Sequence, residues 1–220
     1  STLKRILGTV PVEPDGSACF EVPAMRSVYF ALLDGQDRSM KQMRSFVTVQ
    51  PGETFGCVGC HEQRTQTFGQ GSRNGLAAMR RQPSRIQPID GVPSVMEFPR
   101  DVQPVLDRYC IGCHRPGQRD GGVSLVGDRG PVYSMSYYEL LLHWQVKDTR
   151  GNPGNGSGRQ PGGDPAYQTY SSASALMSKI DGSHHAVLLP PRERQLIRLW
   201  IDSGVQYPGT YAALGTGQVG

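Results

Sequence analysis

Apolar positions along this chain follow two different periods. Through the first fifty residues they alternate with polar ones, the period of a strand with one face covered. Gly8 to Val12, Ala18 to Val22, Val28 to Leu33 and Met43 to Val49 read as four short strands. Pro11 removes an amide donor from the first, so that strand belongs at an edge. Glu13-Pro14-Asp15-Gly16 and Asp34-Gly35-Gln36-Asp37 are turn sequences, the second of hairpin type. A sheet of four short strands is marginal alone and needs a further surface to pack on.

From Phe98 the period changes. Val102, Val105, Leu106 and Tyr109 fall at i, i+3, i+4 and i+7, which predicts an amphipathic helix over Asp101 to Tyr109. Asp101 suits the helix start, and Pro104 is tolerated in a first turn. Further helices are predicted at Ser136 to Trp144, Ser172 to Ile180 and Arg192 to Ser203, with a short one over Gly75 to Arg81. Gly204 is the C-terminal stop of the last long helix. Thr65 to Gly91 is a polar connector, and Gly151 to Gly163 is a low-complexity Gly/Pro/Asn loop.

Composition sharpens this. Among 220 residues are 28 glycines and 17 prolines, and only 37% are hydrophobic. Both residue types interrupt element interiors, so the chain is rich in loops and its side-chain core is thin. The formal charge of +4 is spread along the chain. Its densest basic stretch holds only Arg80, Arg81 and Arg85 without interleaved aromatics, so no nucleic-acid groove is expected. The longest apolar run, Val28 to Leu33, is strand-sized, and no membrane span is expected. The chain begins at Ser1, which is compatible with a removed leader or with a longer parent.

The five cysteines supply what a thin core lacks. Cys57-Val58-Gly59-Cys60-His61 and Cys110-Ile111-Gly112-Cys113-His114 are two copies of C-x-x-C-H, the attachment signature of c-type haem. Two thiols on one turn reach the two vinyl groups of a porphyrin, and the following His supplies an axial nitrogen. With Cys and His at 5 positions each, one accidental copy is expected about 0.003 times per chain. A zinc site would use the C-x-x-C pairs but not a His directly after each. Redox disulfides leave the His repeat unexplained as well. Structural disulfides of so short a loop stabilise little. Two covalent haems are therefore the expected cofactors. The fifth cysteine, Cys19, is expected as a buried strand residue.

A helix running into C-x-x-C-H is the opening of a class I cytochrome c. The expected fold is thus α+β. A small β-sandwich-like part with the first haem loop occupies residues 1–97. A mainly α, class I cytochrome c-like domain with the second haem occupies residues 98–220.

The second axial ligand of each iron sets the chemistry. His143, His184 and His185 lie outside the motifs. His184 precedes the C-terminal helix in a loop suited to fold over the second haem, and is the favoured distal ligand, with His185 the alternative. His143 either ligates one of the irons or packs. Met96 and Met177 are either ligands or core filling. The first haem is left five-coordinate, or capped by His143, His185, a methionine or a neighbouring chain.

Longer strings carry a family resemblance. Gly8-Thr9-Val10-Pro11-Val12-Glu13-Pro14-Asp15-Gly16-Ser17, Val22-Pro23-Ala24, Met43-Arg44-Ser45-Phe46 and Val49-Gln50-Pro51-Gly52-Glu53, followed by the first motif and Glu62, resemble the middle domain of the hydrazine synthase alpha subunit. That domain recurs in large planctomycete di-haem cytochromes. Asp101 to Leu106, the second motif, His184-His185 and Trp200-Ile201-Asp202 resemble the family's C-terminal cytochrome c domain. The resemblance implies a bis-His second haem, with His114 proximal and His184 distal. In hydrazine synthase a tyrosine four residues after the first motif His binds iron while that His turns to zinc. Here the position is Thr65, and Arg64, Gln66 and Thr67 offer no phenol, so His61 is expected to bind iron in the ordinary way. The family's upstream β-propeller has no counterpart in this sequence, which fits either a fragment or a shortened relative.

Three functions follow as expectations. The first is a di-haem electron carrier serving redox protein partners. The second is a hydrazine synthase-like haem enzyme acting on small nitrogen compounds or peroxide. The third is a self-associating subunit of an extracellular cytochrome fibre or larger complex. The two motifs and the spare histidines favour the first. Covalent haem attachment takes place outside the cytoplasm, so a periplasmic or extracellular location is expected.

Overall fold

A computed structural model of the chain describes residues 3–43, 45–58, 75–128, 130–147 and 166–210. Its one extensive core lies in the second half. Phe98, Val102, Leu106, Leu140, Leu189, Ile197, Trp200 and Ile201 are buried together there. Among the described residues before Met96, the buried apolar side chains are Val28, Val49 and Ala78.

The N-terminal segments pair sparingly. β1 (Ala31–Leu33) and β2 (Ser39–Gln42) form an antiparallel hairpin with Ala31 opposite Gln42. Its turn is the expected Asp34 to Asp37, where the Asp37 amide donates to the Asp34 carbonyl at 2.9 Å. The other predicted strands contribute single bridges. Thr9 pairs with Gln87, Phe20 with Ser84, and Val28 with Val47. Frequent Pro and Gly leave each extended run too short for a continuous ladder. Gly8 stands at φ +137°, and a Cβ there would lie 2.1 Å from the Gln87 carbonyl oxygen, so this close crossing requires glycine.

The Asp15-Gly16-Ser17 turn has a second task. Asp15 accepts from the Ala77 amide at 2.7 Å, and Ser17 Oγ accepts from the Ala78 amide at 3.0 Å. These bonds satisfy the open amides of a single 3-10 turn at Ala77–Arg80, shorter than the helix expected at that place. The bond that Ser17 Oγ donates to Asp15 at 2.6 Å, and next the Ala77 amide, hold the Asp15 carboxyl down at about 2.

The helices follow the 3.6 period closely. A π turn at Phe98–Val102 leads into α1 (Gln103–Tyr109). The Asp101 carboxylate accepts from the Glu97 amide at 2.7 Å, a reach-back cap. α2 spans Met135–Leu142. The helix expected over Ser172 to Ile180 is two short helices, α3 (Tyr170–Ala173) and α4 (Ala175–Lys179). Ser174 parts them in extended conformation. Its hydroxyl donates to the Tyr170 carbonyl at 2.7 Å and accepts from the Lys147 amide at 2.8 Å, a local alternative to the helical bond. α5 spans Pro191–Asp202 and buries Ile197, Trp200 and Ile201.

The two halves are tied by polar contacts. Ser172 Oγ donates to the Ser39 carbonyl at 2.6 Å, and Gln206 Nε2 donates to the Met96 carbonyl at 2.6 Å. Among the described residues no helix is long and apolar enough to cross a membrane.

Candidate haem centre

α1 delivers the second motif. The Cys110 amide still donates to Leu106 O at 2.8 Å, and the His114 amide donates to Cys110 O at 3.0 Å. One further turn therefore carries Cys110, Cys113 and His114 beyond the helix. The chain then reverses as β3 (His114–Arg115) against β4 (Gln118–Arg119), with His114 opposite Arg119. Pro116 and Gly117, the latter at φ +86°, make the turn. The Leu125 amide donates to the His114 carbonyl at 2.8 Å and fixes the backbone from the other side.

Cys110 and Cys113 are free thiols, not a disulfide. Burial pushes the Cys110 thiol up to about 11, so the site favours an uncharged sulfur.

The His114 and His184 rings are close neighbours. Their centroids are 6.1 Å apart and their planes 16° from parallel. A metal–imidazole bond of about 2 Å, with each ring centre about 1.2 Å behind its nitrogen, separates two such rings by roughly 6.3 Å. The pair therefore has the spacing of two axial ligands on one metal. His114 Nδ1 is buried without a hydrogen-bond partner in the structure. Burial, with Lys179, His185 and His114 nearby, lowers the His184 pKa, which favours the neutral imidazole that can ligate. Porphyrin nitrogens fill the other positions of a haem iron, so two protein ligands suffice. These residues fit a c-type haem. Among the described residues no group of three or more His, Cys, Asp and Glu side chains could hold a metal ion.

His184 stands at the tip of a hairpin before α5. Asp181 bridges Leu188, and the Gly182 amide donates to the Val187 carbonyl at 3.0 Å. His185 is exposed, with its ring centre 4.7 Å from that of His184 and nearly perpendicular to it.

His143 is engaged elsewhere. Its Nε2 lies 2.9 Å from Glu139 Oε2, one helical turn back on α2, and Arg119 Nη2 reaches Glu139 Oε1 at 2.7 Å. The i, i+4 spacing of Glu139 and His143 is legible in the sequence, but the Arg119 partner depends on the β3–β4 reversal. Met96 is fully buried in the core and Met177 packs against it, the core-filling alternative for both. Cys19 is a half-buried free thiol, with its carbonyl accepting from the Ser84 amide at 2.9 Å.

Of the first motif, Cys57 and Val58 are described, and Cys57 is exposed. Cys60, His61 and Thr65 lie outside the described residues, as does the low-complexity stretch 151–163.

A second polar site escaped the sequence reading. Asp202, at the end of α5, accepts from the Ser171 amide at 3.0 Å and from Ser171 Oγ at 2.9 Å. Burial raises its pKa to about 6 against these bonds and the pull of Arg198. Tyr29 is pushed up by its own burial, with Tyr170 and Asp202 adding to the shift.

Comparison with known proteins places these features. Residues 1–62 match the hydrazine synthase alpha subunit middle domain. The chain is 32% identical over 142 residues to hydrazine synthase subunit alpha of Kuenenia stuttgartiensis, a match covering 55% of this chain and 17% of that protein. The fold is similar to a chain of the solved Kuenenia stuttgartiensis hydrazine synthase, with a TM-score of 0.51 at 18% identity over 90% of this chain and 33% of that one. The chain is similar to hydrazine synthase alpha over these matches, and it spans a third or less of the length of these relatives.

Proposed function

We propose that the chain is the haem-bearing part of an oxidoreductase acting on small nitrogen compounds. In this reading it carries two c-type haems. Cys57, Cys60 and His61 hold the first. Cys110, Cys113 and His114 hold the second, with His184 as its distal ligand, in a class I cytochrome c-like domain over residues 98–220. The likeness to hydrazine synthase alpha, continuous from residues 1–62 into the fold as a whole, carries the proposal.

A haem supplies one-electron redox chemistry and, where an axial position is open, a place for a small ligand. The residues divide the work accordingly. Parallel His114 and His184 would saturate the second iron and keep water from it, which suits electron relay. Exposed Cys57 sits on a stretch with solvent-facing Phe55 and Val58, and the first centre is where a small nitrogen compound would bind. The location is extracytoplasmic, and the chain works within a larger assembly that supplies electrons.

A di-haem electron carrier is the second reading, and the paired imidazoles favour it. Carbon monoxide titration of the reduced holoprotein separates the two. One equivalent bound tightly per two haems is expected for the enzyme. None bound, with both haems six-coordinate, overturns it and leaves the carrier.

A further inference from the structure

The tip that presents His184 is strained. His185 and Ala186 stand at φ +48° and +59°, and the Val187 amide donates to the His184 carbonyl at 2.9 Å. Two central residues at positive φ closed by such a bond form the type I′ pattern, which ordinarily takes Asn-Gly. A side chain with a Cβ pays for this conformation at each position.

The base of the hairpin is secure. The Leu189 amide donates to the Ile180 carbonyl at 3.1 Å, the Ser183 amide to Asp181 Oδ1 at 2.9 Å, and Ser183 Oγ to the Ser178 carbonyl at 2.6 Å. Leu189 is buried beneath it. The tip is otherwise: His185, Ala186 and Leu188 are all solvent-facing. Val187 packs against the core, but residues 184–186 have little apolar burial of their own to offset the strain.

From this we infer that His184 is a displaceable ligand. Its bond to the second iron works against the strained turn. When the tip relaxes, the second haem exposes a binding position for a small anionic ligand of cyanide size. The base bonds and the packing of Val187 remain, so the opening is confined to residues 184–186 and is reversible. The inference deepens the proposed function and rests on its assignment of His184 as the distal ligand.

Cyanide titration of the ferric full-length holoprotein, followed in the Soret band, tests it. His184→Ala identifies the phase that belongs to the second haem: that phase strengthens at least a hundredfold and the low-spin signal of that haem is lost. Ala186→Gly relieves one strained position and leaves His184 in place. Its cyanide affinity in the same phase is expected to fall about fivefold, equivalent to about 1 kcal/mol. Ala186→Asn, which tolerates positive φ, moves in the same direction. An unchanged low-spin spectrum in His184→Ala removes the ligand assignment. With that assignment intact, cyanide affinity in Ala186→Gly equal to or above the unsubstituted protein's overturns the role of strain. So does the absence of a second phase in the unsubstituted protein.

Discussion

Asp202→Asn should stabilise the protein at neutral pH, although it removes a charge from a residue with two hydrogen bonds. The carboxyl is buried at the end of α5, and its pKa rises from 3.8 to about 6. The folded state thus holds this proton more tightly than the unfolded chain does. Its contribution to stability is full below about pH 4 and is lost as pH rises through about 6. At 1.36 kcal/mol per pH unit, the ionised form costs about 3 kcal/mol at pH 7.5 relative to the protonated one. Asparagine keeps the shape and avoids that cost. Its carbonyl accepts the Ser171 amide, and its NH₂ donates to Ser171 Oγ, which reverses direction without strain. Weaker acceptance by an amide returns about 1 kcal/mol. A net gain of about 1–2 kcal/mol remains, or roughly 3–6 °C in Tm for a chain of this size. Thermal unfolding of both proteins from pH 4 to 8 is the assay. Asp15, Asp34 and Asp181 have lowered pKa values and act in the opposite sense at low pH, but they cancel in the difference between the two proteins. The gap should open between pH 4 and 6 and stay flat above. A variant less stable at pH 7.5, with a gap that closes on acidification, would show that Arg198 makes the ionised carboxylate a net stabiliser and would refute the reasoning.

Other substitutions test separate links. Gly8→Ala places a Cβ against the Gln87 carbonyl and should cost about 1–3 kcal/mol in urea unfolding, with loss of amide protection at Thr9. His143→Ala should leave the haem spectra unchanged, because Nε2 of His143 is bound to Glu139, and should cost less than about 1 kcal/mol as a half-exposed polar contact. A change of spin state in that variant would reinstate His143 as an iron ligand. Trp200→Ala empties the centre of the core, where Trp200 also donates to the Gln206 carbonyl at 2.9 Å, and should cost about 3–5 kcal/mol by denaturant melt.

Helix positions were more legible in the sequence than strand pairings, for a physical reason. α1 and α5 satisfy their backbone bonds within themselves, so an apolar stripe such as Val102, Val105, Leu106 and Tyr109 locates them. Phe20 and Thr9 instead find their partners at Ser84 and Gln87, more than sixty residues away, and alternation says nothing about which segment will pair. The candidate site divides similarly. Cys110, Cys113 and His114 are legible because their chemistry demands consecutive spacing. The favouring of His184 over His185 came from its loop and from resemblance. What the sequence did not disclose was the turn: His-Ala carries none of the Asn-Gly signal of a type I′ hairpin, so the feature that aims His184 was invisible. The Asp202–Ser171 site was hidden likewise, since a carboxylate at the end of a helix is ordinarily solvated.

Burial in this chain is uneven in a way that bears on its cofactors. Trp200, Phe98 and their neighbours give the second half a core of its own, so the His114–His184 pair can be held in register by protein alone. The first half has no such reserve. Phe46 and Phe55 are more than half exposed while Val28 and Val49 are buried, and short bridges with polar caps connect its segments. A covalent haem tied at Cys57 and Cys60 would offer those apolar side chains the surface that the sheet lacks, with each buried CH₂ worth about 0.8 kcal/mol. The two haems would then play unequal structural parts. The second would be accommodated by a half that already has a core of its own. The first would complete a part that, among the described residues, is thinly packed.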